Sequence, residues 1–142
     1  MLRIAFDLDE TLGVPLINGS SLSGWQNRQG SCELLDHLQN FCQLLLWSVS
    51  PRLYVNKALA YGLNHWFKES YSWDEMPDRW KDVRQLHVDF LVDDSEYHRQ
   101  EAKRFGMESA YIVVPSYGSP QDVADPLYWV HQIKMAITTR IY

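Results

Sequence analysis

With 142 residues, 46% of them hydrophobic, the chain can bury one substantial core and is expected to form a single domain over 1–142. A net charge of −5 disfavours nucleic acid held by general phosphate attraction, and no apolar run approaches the roughly 20 residues of a membrane span. Met1 stands almost directly before the first strand, leaving no room for a signal peptide, and Cys32 and Cys42 lack metal spacing. A cytoplasmic protein with reduced thiols is expected, and nothing sets its oligomeric state.

The first element is a β-leaning run in which Ile4 and Phe6 face a core, and it ends in Asp7 and Asp9 with Thr11 close behind. Residues 13–30 are rich in Gly, Pro, Asn and Ser and predict a hairpin-like flap, with Trp25 standing out among polar neighbours. Ser31 is placed to cap a helix over 32–42 whose stripe is Leu34, Leu35, Leu38 and Phe41. Residues 43–48 read as a buried strand ending in Ser48. Pro51 then opens a helix reaching almost to Glu69, with Leu53, Val55, Leu59, Leu63 and Trp66 on its inner side. A short strand is expected at 71–73 and a helical turn or two at 79–86, carrying Lys81 and Arg84. The strand at 88–92 ends in Asp93, Asp94 and Ser95, and a helix over 96–105 is closed by Gly106. A strand at 110–114, a loop at 116–126 and a helix over 127–139 complete the chain, the last with Leu127, Val130, Ile133 and Ile137 on one face.

Strands alternating with helices predict an α/β fold: one doubly wound, Rossmann-like domain, its central sheet mostly parallel, with helices on both faces and no large cap domain. Ligands of such sheets sit beyond the carboxyl ends of the strands. Three apolar runs end in Asp7/Asp9, in Ser48 and in Asp93/Asp94, so these polar termini share one rim. Carboxylates crowded at the edge of a core repel one another, and a shared proton or a bound cation relieves the repulsion; of hard divalent cations, Mg²⁺ takes carboxylates, water and phosphate oxygens. A carboxylate can also attack phosphorus, and a hydroxyl and an ammonium suit the non-bridging oxygens.

Phe6 to Leu12, Ser48 after its strand, Lys81-Asp82 and Val92 to Ser95 follow in an order that resembles the haloacid dehalogenase superfamily of phosphohydrolases. Among its branches the small members without a large cap are the most similar, namely the phosphatases of the RNA polymerase tail and the magnesium-dependent phosphatase-1 group. The resemblance implies Asp7 as nucleophile and Asp9 as general acid and base. It implies Thr11, Ser48 and Lys81 on the phosphoryl side and Mg²⁺ held by Asp7, Asp9 (through its backbone carbonyl), and Asp93 or Asp94. Arg84 competes with Lys81 for the cationic role. The expected partner is a phosphorylated substrate, either a phosphoprotein or a small phosphometabolite. The alternative is a phospho-accepting signalling protein or a non-catalytic binding protein on the same fold. No chemical role is expected for Glu10, and His37, His65, His87, His98 and His131 lack ligand spacing and read as structural or surface residues.

Overall fold

The computed structural model describes residues 1–141. Five strands, β1 (Leu2–Phe6), β4 (Cys42–Trp47), β5 (Glu69–Tyr71), β6 (Phe90–Asp93) and β7 (Tyr111–Val113), form one sheet in the order β5-β4-β1-β6-β7. Every ladder in it is parallel. The chain runs outward from β1 through β4 to β5 and then crosses to β6 on the other side of β1. That crossing makes the carboxyl end of β1 the switch point of the sheet.

The alternation of each strand supplies two cores. Ile4, Phe6, Leu44, Leu46, Phe90 and Val92 face one side, where they meet α1 (Ser31–Leu38), α2 (Arg52–Ala60) and α6 (Tyr128–Ile141). Ala5, Leu45, Trp47 and Leu91 face the other, against α3 (Val83–Leu86) and α4 (Tyr97–Lys103). With both faces covered, the strands read as continuous apolar runs. β2 (Gly13–Asn18) and β3 (Ser21–Asn27) pair as an antiparallel hairpin on the 13–30 segment, and α5 (Pro120–Ala124) precedes α6. Among the described residues no large cap is present.

Several local expectations shift. Ser31 does not cap α1: Gly30 occupies that position at φ 86°, and a Cβ there would meet Leu127 at 2.9 Å, so close packing against the α6 region requires glycine. Helix α1 stops at Leu38, which leaves Cys42 to open β4. Helix α2 ends at Ala60 and leaves Leu53 69% exposed. The third strand expected at 71–73 spans Glu69–Tyr71, two residues earlier. The 116–126 segment contains the short α5, started by Ser119, whose hydroxyl accepts from the Asp122 N–H, with Pro120 at the first helical position. Leu127 is exposed, and Trp129 takes the buried stripe of α6 with Ile133 and Ile137 at four-residue intervals. Trp25 is buried and packs into the core cluster of β1, which anchors the hairpin.

Candidate active site

The register of the sheet builds the site. Phe6 lies opposite Leu46 on one side and Val92 on the other, so the next residues along, Asp7, Trp47 and Asp93, reach the rim together. Ser48 follows one step beyond. A cleft of about 350 Å³ opens there, and Asp7, Asp9, Ser48, Lys81, Asp93 and Asp94 all line it. Of the sequence-derived candidates, Thr11 and Arg84 lie elsewhere. Arg84 is exposed and paired with Asp82, whose side chain also caps α3, and it does not line the cleft that Lys81 lines. Thr11 is fully buried, with its hydroxyl oxygen 3.0 Å from both Asp7 Oδ2 and Asp94 Oδ1 and accepting from the Asp94 N–H at 3.1 Å. Its place is behind the carboxylates, where it braces Asp7 and Asp94.

Lys81 precedes α3 in a loop, not on a helix as expected, and its ammonium donates to Asp7 Oδ1 at 2.9 Å and Asp93 Oδ2 at 2.8 Å. Burial disfavours the Lys81 charge, but Asp7 and Asp93 outweigh it and hold the ammonium protonated above its usual range. Asp7 is pushed well above the ordinary carboxylate range, by burial first and then by Asp93, with Lys81 opposing. Asp9 is also raised by burial, against hydrogen bonds from Tyr54 and Ser50. Ser48 Oγ accepts from the Ser50 N–H at 3.0 Å, which leaves the serine proton free to donate into the cleft.

Ligand oxygens of Asp7, Asp93 and Asp94 lie within 4.8 Å of one another. Three carboxylates against one ammonium leave a formal charge of −2, and the donor set is all oxygen. Both properties fit Mg²⁺, which would supply the missing charge at hard ligands. The Asp93 and Asp94 alternatives divide by surroundings: Asp93 carries Lys81 and the Ser95 N–H, whereas Asp94 carries Thr11 and Ser116. Both remain within reach of one ion.

Three groups at the site escaped the sequence reading. His98, expected to be structural or superficial, lines the cleft; its Nδ1 accepts from the Lys81 N–H at 2.9 Å, and Nε2 stands 3.7 Å from Asp93. Burial pushes its pKa down to about 4, so it is neutral near pH 7. Tyr54 donates to Asp9 Oδ1, and burial followed by the Asp9 contact drives the phenol upward. Ser50 Oγ lies 3.5 Å from Asp9 Oδ2. Tyr54 and His98 occupy the first turns of the helices that follow β4 and β6, positions that face back toward the rim. That placement is the signal that could have found them. Beyond Asp94 a second cleft of about 560 Å³ is bordered by the 116–126 segment and Tyr128.

The sequence matches no family model and no curated protein. Solved structures do share its architecture. One assigned as a β-phosphoglucomutase from Thermotoga maritima superposes with a TM-score of 0.67 at 13% identity, covering 95% of this chain and 99% of the other. Fcp1, an essential RNA polymerase II CTD phosphatase, gives 0.61 at 13% identity over 96% of this chain and 49% of its own. Fission yeast Fcp1 bound to beryllium fluoride gives 0.59 at 15% identity over 97% and 50%. The present chain thus spans about half the length of the Fcp1 structures. At these identities the likeness establishes the fold alone, the parallel α/β architecture that this chain shares with them.

Proposed function

We propose that the protein is a Mg²⁺-dependent phosphohydrolase that cleaves a phosphomonoester through an aspartyl-phosphate on Asp7. The observation that carries this reading is the meeting of Asp7, Asp9, Ser48, Lys81 and Asp93 at the carboxyl ends of three adjacent parallel strands. Asp7 attacks phosphorus while Asp9 protonates the leaving ester oxygen; water, deprotonated by Asp9, then displaces phosphate from Asp7. Ser48 donates to a non-bridging oxygen. Lys81 holds Asp7 in place and balances part of its charge, and the neutral His98 fixes the Lys81 backbone. Mg²⁺, held by Asp7, Asp93 or Asp94 and the Asp9 carbonyl, would neutralise the transferring group and keep Asp7 ionised despite its burial.

The chain acts as one domain in this reading, with the 13–30 hairpin as a flap beside the site and the 116–126 segment as a second determinant of specificity. An open rim without a large cap suits a phosphorylated protein or a small phosphometabolite. The architectural likeness to Fcp1, a phosphatase of the polymerase tail, favours the phosphoprotein. Hydrolysis of p-nitrophenyl phosphate tests the reading. Release is expected with Mg²⁺, is abolished by EDTA, and falls more than about 10⁴-fold in Asp7→Asn. An Asp7→Asn protein with wild-type turnover would rule the mechanism out.

A further inference from the structure

Asp9 is held from behind by a residue that has no part in the cleft wall. Tyr54, on the first turn of α2, packs its ring against the main core and donates its hydroxyl to Asp9 Oδ1. The other oxygen, Oδ2, meets only the Ser50 hydroxyl at 3.5 Å, the outer limit of a hydrogen bond. The two oxygens of one carboxylate are therefore not equivalent. One is tied to a phenol whose place is set by packing, and the other is nearly free.

We propose that Tyr54 is the positioning residue of Asp9, fixing its side chain so that Oδ2 alone exchanges protons with the ester and with water. The inference rests on the hydrolase reading for its chemistry and on Tyr54 geometry for its placement. In the first step the Oδ2 proton passes to the bridging ester oxygen as the P–O bond breaks and the bond from Asp7 to phosphorus forms. In the second, water gives a proton to Oδ2 while its oxygen attacks phosphorus and the Asp7–O–P linkage breaks. The phenol keeps its proton throughout, because Oδ1 offers a lone pair whether or not Oδ2 is protonated. A tyrosine suits this task because its ring has two stiff torsions and its donor sits at the far end of a packed body.

Tyr54→Phe keeps the ring and removes the donor. The test compares p-nitrophenyl phosphate, whose phenolate departs with little proton assistance, with ethyl phosphate, whose alkoxide requires it. For ethyl phosphate, kcat/KM is expected to fall about 10- to 100-fold in Tyr54→Phe, while the aryl ester changes by less than about threefold. Equal losses on both esters, or none on either, would overturn the assignment. A crystal structure of the variant decides the positioning part separately: Asp9 leaving its wild-type rotamer supports it, and Asp9 unmoved refutes it. Wild-type protein inert toward both esters would instead sink the hydrolase reading and the proton-exchange step with it.

Discussion

Lys81 and Arg28 are both buried cations, with side chains 3% and 1% exposed, but their surroundings differ in charge. Arg28, at the end of the hairpin, donates to Asp122 Oδ1 at 2.9 Å and to the carbonyls of Pro115 and Thr11, and it lies over the Trp129 ring at 4.6 Å. Asp122 uses its second oxygen for the Gly118 N–H. One cation faces one carboxylate, and the pair staples the hairpin, the loop after β7 and α6 together. Lys81 pairs with two carboxylates, Asp7 and Asp93, and Asp94 lies close to both, so the cluster leaves two formal charges uncompensated at the mouth of a cleft. The buried Arg28–Asp122 pair leaves no formal charge over. The unbalanced cluster around Lys81 could hold a cation.

Replacing each cation by Met should separate the two designs. Lys81→Met is expected to lower turnover about 10²- to 10³-fold by loosening Asp7. It should also destabilise the fold in EDTA, and Mg²⁺ should restore part of that loss by offsetting the crowded carboxylates. A Lys81→Met melting temperature indifferent to Mg²⁺ would argue against an ion among Asp7, Asp93 and Asp94.

Arg28→Met should cost about 3–5 kcal/mol in chemical denaturation, since Asp122 is left buried and unpaired. Mg²⁺ should not change that figure. Arg28→Met combined with Asp122→Leu should recover much of it, and a double variant no better than the single would remove the charge from the explanation.

The smallest effect belongs to an exposed pair of the same type. Glu75 accepts from Arg52, from the Ser72 N–H at 2.7 Å and from the Ser72 hydroxyl at 2.8 Å, pinning the turn after β5 to the start of α2. Arg52, ahead of those Ser72 contacts, pulls the Glu75 pKa down to about 2. A depressed folded-state value means stabilisation that is complete above the ordinary value of 4.5 and disappears as pH falls through about 2. Glu75→Gln should therefore cost a few tenths of a kcal/mol at pH 7, given its solvent screening. Urea midpoints of the two proteins should converge near pH 2, and a gap that widens toward acid would refute the assignment.

The sheet and the rim were legible because apolar runs that end in Asp or Ser carry both the strand and its polarity. Asp7, Ser48 and Asp93 needed only parallel register to meet. Element ends were less legible, as at Leu38 and Ala60, where tertiary packing decides how far a helix continues. Arg28 and Asp122 stand 94 positions apart, and neither carries a local signal that it will be buried. Thr11 is expected on the phosphoryl side only through the family resemblance of the Phe6 to Leu12 stretch. Its complete burial behind Asp7 and Asp94 depends on the turn that follows β1, which only three-dimensional packing reveals.

The position of β1 has a consequence for how the molecule is assembled. It is the earliest strand of the sheet along the chain and ends in its middle, so during synthesis it can pair with β4 long before β6 exists. Until residues 90–93 leave the ribosome, one edge of β1 stays open to any extended segment that can add a strand. Asp7 and Asp93 also remain apart until then, so the charge crowding at the rim arises only when the last central ladder closes. Each half of the sheet grows outward from β1, and the rim is complete only once the second half has begun.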